Sequence, residues 1–347
     1  MCRHPLQCIL PPYVLRRLAE GMSPERRAEL LDQLDLDHGF RQLRAESAGR
    51  RALVPIAAPG ASAGGSPHRS IYDQRHSTSD TPGKLVRSEG QRAVKDVSVN
   101  QAYDNFGATY TFYWEVFGRN SIDDLGMPIL GLVHYGTKYD NAFWDGQGHM
   151  FFGDGDGQIL TDTTKGLDVI AHELTHGVTQ NTANLVYRNQ SGALNESVSD
   201  VFGVMAKQYK LKQTAAQADW LIGADIVGPQ LAPALRSMKD PGAMPDPQPA
   251  DMNHYVKTSS DNGGVHTNSG IPNHAFYVIA STLGGNSWDA PGRIWYDTLT
   301  DHTLKPTATF SAFATITLSR ARQRYGATSP EAAAVQGGWE AVKVKVR

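Results

Sequence analysis

Two histidines that stand four positions apart could bind one metal ion. In the stretch 168–180, DVIAHELTHGVTQ, they are His172 and His176, and Glu173 follows the first directly. On a helix, positions i and i+4 share a face, so both rings could reach one zinc ion. Glu173, rotated by about 100° per residue, could take the proton from a metal-bound water. An ordinary helix with two histidines is the alternative, so the motif needs a third ligand.

The segment 195–200, NESVSD, supplies a candidate third ligand. Glu196 begins the next predicted helix, and a carboxylate in third place leaves a fourth position open for water, as in catalytic zinc sites. Asp200 lies four residues on, where it could accept a hydrogen bond from the far nitrogen of a ligand histidine, and Asn195 is assigned to the same supporting layer. Acids favoured at a helix N-terminus are the alternative explanation.

Composition narrows the class of protein but does not choose a function. The 347 residues carry 33 Lys+Arg and 35 Asp+Glu, a balance that argues against nucleic acid or an anionic membrane as the main partner. No apolar run approaches the roughly 18–20 residues of a spanning helix. The N-terminus has no apolar core followed by a small-residue cleavage site, so we expect no classical secretory signal. The only cysteines are Cys2 and Cys8.

The first 70 residues differ from the rest of the chain. Residues 1–51 are expected to form a small helical unit, with helices over 12–20 and 24–46. Residues 52–70 are expected to be a flexible linker, because 55–70 is rich in Pro, Ala, Gly and Ser and has little to bury. A removable pro-segment and a permanent small domain on a tether fit this composition equally well.

The remainder divides into two halves. Residues 71–181 are expected to be β-rich up to the HExxH helix, with strands in ATYTFYWEVFG at 108–118 and in the stretch 129–146. Residues 182–347 are expected to be helical. Predicted helices cover 167–182, 196–210, 272–283, 292–301, 310–325 and 330–343. An α+β half against an all-α half predicts a site in the cleft between them.

Several motifs in a fixed order make a family resemblance specific. HELTH is followed by NESVSD, with Glu196 24 positions after His172, and then by DNGGVHTNSGIPNHAFY at 261–277; YDNAFWDG at 139–146 and GDGDG at 153–157 precede them. From about Ile71 to the C-terminus this pattern resembles the thermolysin-like metallopeptidases. The N-terminal CILPPYVLRRLAEG resembles the protealysin-type branch, which has short propeptides and typically lacks a secretory signal. The resemblance implies a two-domain thermolysin-like zincin preceded by a small helical propeptide.

The resemblance implies roles at the matching positions. The zinc ligands would be His172, His176 and Glu196, with Glu173 as general base. His266 would stabilise the oxyanion, helped by Tyr187 and oriented by Asp261. The substrate backbone would bind to Asn141 and Ala142 as an added strand, and its carbonyl to Arg236. The family cleaves on the amino side of bulky apolar residues, and the positions that line that pocket are Val169, Ile222 and Leu235.

A calcium site of the family is expected to be lost. Many members have a double calcium site beside the zinc helix. Here Asp168 and Asp219 are kept, but the remaining acids are replaced by Lys207, Leu221 and Ala224. Because calcium wants several anionic oxygens, we expect this double site to be missing. Lys207 would pair with Asp168 or Asp219 and replace the charge of the metal.

The sequence therefore predicts a zinc endopeptidase precursor that acts on proteins and peptides. Its propeptide would act as an intramolecular inhibitor or chaperone, removed by the enzyme itself between about 48 and 70, near Leu53, Val54 and Ile56. The resemblance also implies a secreted monomer. Within the propeptide, Cys8 either binds the zinc as a thiolate or is a small buried apolar residue.

Two rival functions stay open. A non-catalytic zinc-binding or adhesive protein could have kept the fold, but it would be expected to have lost Glu173 or His266, and both are present. Residues 1–51 could instead be a permanent interaction module that binds a partner.

Overall fold

A mixed sheet forms the first half of the molecule. The computed structural model describes residues 7–34, 65–245 and 247–347. Within them the sheet has six strands: β1 Gln7–Cys8, β2 Arg69–Asp73, β3 Lys84–Ser88, β4 Ile129–Val133, β5 Ala142–Trp144 and β6 His149–Phe152. Their order across the sheet is β1-β5-β6-β4-β2-β3. The strand β4 lies parallel to both its neighbours, and the other pairs are antiparallel.

The edge of this sheet is formed by the N-terminal segment. Cys8 pairs with Phe143, and Gln7 with Trp144, so β1 covers β5 from the outside. This strand was not predicted. The helices that follow it, α1 Pro12–Ala19 and α2 from residue 24 to residue 34, confirm the helix predicted at 12–20 and the start of the next.

Part of the predicted N-terminal unit lies outside the described residues. This applies to the remainder of the helix predicted at 24–46 and to most of the linker predicted at 52–70. Arg69 and Ser70, at the end of that linker, already belong to β2.

The strand predicted at 108–118 is wrong, because these residues belong to a long helix, α3 Val97–Phe117. Asp96 caps its first turn by accepting a hydrogen bond from the Val99 amide, and Gly118 ends it with φ of 69°. Tyr110 and Tyr113 of this stretch are buried, and they continue at helical spacing from the buried Tyr103 and Phe106 before it. Burial on several faces blurred the 3.6-residue period and left only their strand propensity visible.

Helices dominate the second half, as predicted. They are α4 Leu167–Gln180, α5 Asn189–Leu211, α6 Asp261–Asn268, α7 Gly270–Leu283, α8 Ala290–Leu299, α9 Phe310–Tyr325 and α10 Pro330–Ala341. The prediction for α9 is confirmed at both ends, and Ser329 caps α10 as expected. The prediction for α5 began too late, at 196 instead of Asn189, and α6 was missed. Two short strands, β7 Leu221–Ile222 and β8 Arg236–Ser237, form a separate ladder.

The helix α4 lies where the two halves meet. It contacts α3 and β5 on the sheet side and packs along α5 on the helical side. Every residue of α4 except Gln180 is buried. A Cβ atom on Gly203 of α5 would come within 2.5 Å of the Asp168 carbonyl oxygen, so this glycine permits the close packing of the two helices. No helix among the described residues is long and apolar enough to cross a membrane.

Candidate metal centre and active site

Three side chains from α4 and α5 converge in a buried group. The Nε2 atoms of His172 and His176 lie 3.0 Å apart. Each also lies 3.6 Å from a carboxylate oxygen of Glu196. The potential ligand atoms of the three residues all lie within 4.8 Å of one another. The packing of the two helices therefore brings together the three ligands predicted from the sequence.

Partners behind the rings fix which nitrogen of each histidine faces the group. His172 donates from Nδ1 to Asp200 Oδ1 at 2.8 Å. His176 donates from Nδ1 to Asn195 Oδ1 at 2.8 Å, and Ser199 Oγ lies 3.0 Å from the same nitrogen. Asn195 in turn donates to the Leu185 carbonyl, which orients its amide. Both predicted supporting residues hold these places, whereas Ser199 was missed.

This arrangement fits a zinc ion. With both Nδ1 atoms donating, each neutral ring has a lone pair on Nε2. The two lone pairs face each other beside a carboxylate, in a site that excludes water, and such a contact repels unless a cation lies between them. Burial and the neighbouring His172 lower the pKa of His176 well below its usual value, which keeps that ring neutral. Two imidazole nitrogens and one carboxylate are also the ligand set of catalytic zinc sites.

Glu173 lies beside this group without joining it. Its side chain is buried, and Oε2 accepts a hydrogen bond from the Trp144 amide of β5 at 3.0 Å. The carboxylate is thereby fixed between the metal-ligand group and the edge of the sheet, where a peptide substrate would add as a strand.

His266 lies on the opposite wall of the site. The sequence DNGG before it includes Asn262, Gly263 and Gly264, all with positive φ, so the chain bends sharply as it enters α6. His266 donates from Nδ1 to Asp261 Oδ1 at 2.6 Å. Burial by itself lowers the pKa of His266, but the charges of Glu196 and Asp261 raise it to about 9. These charges favour the protonated ring, in which Nε2–H is a donor.

Tyr187 connects this donor to the metal-ligand group. Its hydroxyl donates to Glu196 Oε1 and lies 3.0 Å from His266 Nε2. Burial and the nearby Glu196 raise the pKa of Tyr187 well above its usual value, so the hydroxyl keeps its proton. The structure thus brings Tyr187, His266 and Asp261 together as the sequence predicted.

Arg236 of β8 is almost fully buried and binds Asp200 with two nitrogens. Its Nε–Oδ2 and Nη2–Oδ1 distances are 3.0 and 2.7 Å. Burial alone would raise the pKa of Asp200, but Arg236 and His172 lower it below its usual range. Asn273 donates to the same carboxylate at 2.8 Å, a contact that the sequence did not indicate. Asp200 therefore supports a ligand histidine and Arg236 at once.

The edge strand β5 is occupied by the N-terminal segment. Asn141 accepts from the Leu10 amide at 3.0 Å and donates to the Leu10 carbonyl at 3.1 Å. The Ala142 carbonyl accepts from the Ile9 amide at 3.1 Å, and Arg236 Nη1 donates to the Ile9 carbonyl at 2.8 Å. The residues predicted to bind substrate backbone thus bind main chain, and it belongs to the same polypeptide.

The hypothesis that Cys8 binds the metal through its thiolate is not supported. Among the described residues the converging ligand group consists of His172, His176 and Glu196. The thiol of Cys8 donates to the Leu10 carbonyl at 3.4 Å, and the side chain is buried in an aromatic cluster. Its main-chain carbonyl, instead, lies 3.1 Å from His266 Nε2.

Three apolar residues predicted to line the specificity pocket are buried near this strand. Val169 lies in the first turn of α4, Ile222 in β7, and Leu235 directly before β8, where its amide donates to the Ile222 carbonyl at 3.0 Å. Ile9 is fully buried, and its carbonyl is bound by Arg236, which directly follows Leu235.

The predicted pairing of Lys207 with Asp168 is confirmed. Lys207 Nζ lies 3.5 Å from Asp168 Oδ2 and 2.8 Å from Asp225 Oδ2, a second partner that was not predicted. Burial alone would lower the pKa of Lys207, but Asp168 and Asp225 raise it. An ammonium group therefore lies between Asp168 at the start of α4 and Asp225.

A second contact holds the N-terminal segment against the rest of the chain, and it was not predicted. Arg26 of α2 binds the carboxylates of Asp140 and Asp156, whose side chains are 0% and 4% exposed. Gln33 donates to the Lys138 carbonyl at 2.8 Å and accepts from the Asp140 amide at 3.2 Å. These contacts end one residue before Asn141, so they also steady the edge strand.

Comparison with known proteins agrees with this geometry. The family model described as "Thermolysin metallopeptidase, catalytic domain" matches residues 63–180, and "Thermolysin metallopeptidase, alpha-helical domain" matches residues 183–344. The chain belongs to the thermolysin metallopeptidase family. The predicted two-domain fold and the enzyme class are confirmed as those of this family, and the group of His172, His176 and Glu196 is consistent with a zinc site.

Similar proteins extend over the N-terminal segment as well. "Extracellular metalloprotease" from Pectobacterium carotovorum subsp. carotovorum is 48% identical over 100% of this chain and 99% of its own length. "Protease PrtS" from Photorhabdus sp. is 42% identical over 98% of this chain and 92% of its own. The solved precursor of protealysin, a metalloproteinase from Serratia proteamaculans, matches with TM-score 0.87 and 46% identity, covering 98% of this chain and 100% of that chain.

Proposed function

We propose that this chain is the precursor of a zinc endopeptidase that cuts peptide bonds on the amino side of bulky apolar residues. The observation that carries the proposal is the convergence of three groups on one strand-binding cleft. These are the buried ligand group, the Glu173 carboxylate and the His266 donor, and an extended peptide already adds to the adjacent sheet edge. The propeptide acts as an intramolecular inhibitor, because it fills that cleft.

In this mechanism His172, His176 and Glu196 hold the zinc. When bound, the ion supplies a Lewis acid that polarises a carbonyl and lowers the pKa of water. Glu173 accepts the proton of the attacking water and passes it to the leaving nitrogen. The negative charge that grows on the carbonyl oxygen is met by the Nε2–H of His266, with Tyr187 beside it. Asp261 accepts a hydrogen bond from Nδ1 of His266 and so orients the ring.

The substrate backbone is held by Asn141, Ala142 and Arg236. The contacts that these residues make to Ile9 and Leu10 support this role, since they satisfy both polar groups of each residue. A peptide bound as an added strand gains affinity from its main chain and specificity from alternate side-chain pockets. The pocket for the residue after the cut is lined by Val169, Ile222 and Leu235.

Three further points belong to the proposal. The enzyme is exported and monomeric, and the Pectobacterium relative named as extracellular supports export. The double calcium site of the family is lost, because Lys207 lies beside Asp168. Adhesion without catalysis is not favoured, since a protein that only binds zinc has no need of Glu173 and His266 in these positions.

A paired experiment tests the proposal. Zinc content and hydrolysis of two peptides, with Leu or Asp after the cut bond, are measured for the wild type and for Glu173→Gln, each after its propeptide has been removed with a second protease and separated. We expect one zinc ion per chain in both proteins, cleavage of the Leu peptide only, and a rate about 100–10,000-fold lower for the variant. A zinc-loaded wild type that cuts neither peptide, or a variant with the full rate, would refute the assigned chemistry.

A further inference from the structure

The peptide bond between Cys8 and Ile9 occupies the cleft in a defined register. On its carboxyl side, both polar main-chain groups of Ile9 and Leu10 are bound: the amides by the Ala142 carbonyl and Asn141, the carbonyls by Arg236 and Asn141. Their donor–acceptor distances lie between 2.8 and 3.1 Å. A slip by one residue would break all four bonds, so the register is well specified.

The carbonyl of this bond points at the proposed oxyanion donor. Cys8 O lies 3.1 Å from Nε2 of His266, the nitrogen that also approaches Tyr187. Donors at 2.7–3.1 Å from the developing oxyanion are the geometric requirement for its stabilisation. The buried group of His172, His176 and Glu196 adjoins this point, since Glu196 Oε1 lies 3.5 Å from the same nitrogen.

The proposed general base faces the same part of the strand. Cys8 pairs with Phe143, and Gln7 with Trp144. Glu173 accepts a hydrogen bond from the Trp144 amide, so its carboxylate lies against the backbone opposite these two residues. The proposed base, Glu173, and the proposed donor, His266, therefore both lie next to the part of β1 that contains the Cys8 carbonyl.

The residue after the bond has the chemistry that the pocket requires. Ile9 is a bulky apolar residue with no exposed surface. Its carbonyl is bound by Arg236, the neighbour of Leu235, and the Leu235 amide in turn donates to the Ile222 carbonyl. Every feature that the proposed function asks of a substrate is thus present at one bond of the chain itself.

We infer that the Cys8–Ile9 bond is a cleavage site of this enzyme, cut within the same molecule before the propeptide leaves. The inference rests on the proposed function. Water is the only co-reactant: the C–N bond breaks, Cys8 gains a carboxylate, and Ile9 gains the amine proton delivered by Glu173. Maturation then has two cuts, this one and a second cut beyond the described part of the propeptide.

Contacts far from the bond explain why the cut need not free the cleft. After the cut, Ile9 and Leu10 at the new chain end keep their four main-chain hydrogen bonds to the rest of the protein. Further along, Val14 and Leu15 of α1 are buried, and Arg26 and Gln33 of α2 bind the segment before β5. The cut precursor therefore retains its inhibitor and loses only the segment before Ile9.

Intact mass over time tests the inference on purified full-length protein with zinc, next to Glu173→Ala. We expect the N-terminal segment up to Cys8 to be released and Ile9 to become the new N-terminus, either on the whole chain or on the propeptide fragment. The variant should keep its original N-terminus. The rate constant should not change on tenfold dilution, because the cut is intramolecular.

Two matched variants examine the pocket at the same bond. Ile9→Leu keeps a bulky apolar residue and should be cut at a rate close to that of the wild type. Ile9→Gly removes the side chain and should slow the cut at least tenfold, whatever its effect on propeptide release. Equal rates for both variants would overturn the assignment of Ile9.

An external peptide with Leu after its cut bond separates the two proposals. If the matured protein cuts that peptide but every propeptide fragment still begins upstream of Cys8, the cleavage site is refuted and the proposed function stands. A rate that rises in proportion to concentration would refute the intramolecular cut. If neither the peptide nor the chain is cut, the proposed function itself fails.

Discussion

The helices α4 and α5 build two buried charge centres, and the two differ in where their cation comes from. At one, His172, His176 and Glu196 converge as electron-rich groups and require a cation from outside. At the other, Asp168 lies one turn earlier on α4, and Lys207 of α5 supplies a cation that is part of the chain. The same helix pair can thus be stabilised by a metal or by its own side chain. Only the first arrangement leaves a coordination position for chemistry.

The largest effect should come from removing a ligand of the first centre. In His172→Ala we expect loss of bound zinc and of peptidase activity together. The drop in zinc affinity should exceed the roughly 10–100-fold that loss of an outer partner costs. Zinc per chain and peptide hydrolysis are the measurements. His302→Ala, at a side chain 90% exposed, is the control and should match the wild type. Full zinc retention in His172→Ala would contradict the ligand assignment.

The next largest effect should come from removing the cation of the second centre. Lys207→Met leaves Asp168 buried without its partner, which should lower the free energy of unfolding by about 3 kcal/mol, the lower end for a broken buried pair. Urea unfolding measures it. Lys207→Glu restores an acidic cluster, so calcium should raise the melting temperature of that variant and not of Lys207→Met. An equal calcium response in both would show that Lys207 does not stand in for a metal.

A smaller effect on zinc binding is expected from a change at Asp200, which binds both His172 and Arg236. The change Asp200→Asn keeps the size of the side chain but removes the charge that binds His172 and Arg236. Zinc affinity should fall by about 10–100-fold, as measured by competition with a chelator. Asp225→Asn alters a carboxylate that is 51% exposed at the other centre and should leave zinc affinity unchanged.

The smallest effect should come from a cation that is only half-buried. His134 lies between Asp154 and Asp96, whose hydrogen bonds outweigh the opposing effect of burial and raise its pKa to about 9. Because the folded value exceeds 6.5, the stabilisation is complete below pH 6.5 and is lost as the pH rises through 9. Solvent screening limits it to about 1 kcal/mol. Between pH 6 and pH 10 the wild type should lose more of its free energy of unfolding than His134→Gln does, and the difference should be about 1 kcal/mol.

Residues could be predicted from the sequence where their spacing along a helix and the chemistry of their side chains indicate the same role. The positions of His172, His176 and Glu196 follow from helical geometry and from a carboxylate at a characteristic distance along the chain. The helix α9 was predicted at both ends because its periodic segment has clear boundaries. The supporting roles of Asp200 and Asn195 could be predicted because a ligand histidine needs a hydrogen-bond partner for its second nitrogen.

The errors arose where tertiary contacts decide. The aromatic run 108–118 has strand propensity, yet it is helical because several faces of α3 are buried. Asn273 and Arg26 bind carboxylates 73 and 114 or more positions away along the chain, and no local pattern marks such contacts. The strand β1 exists only through its pairing with β5, so a two-residue segment gave no periodic signal.

The position of β1 at the edge of the sheet also affects how readily this protein can aggregate. Bare strand edges invite pairing with other molecules and are a common start of aggregation. The strand β1 covers the β5 edge, and the strand left behind when it departs is only the three residues Ala142–Trp144. With β1 in place this edge is closed to such pairing, and without it only a short edge is open.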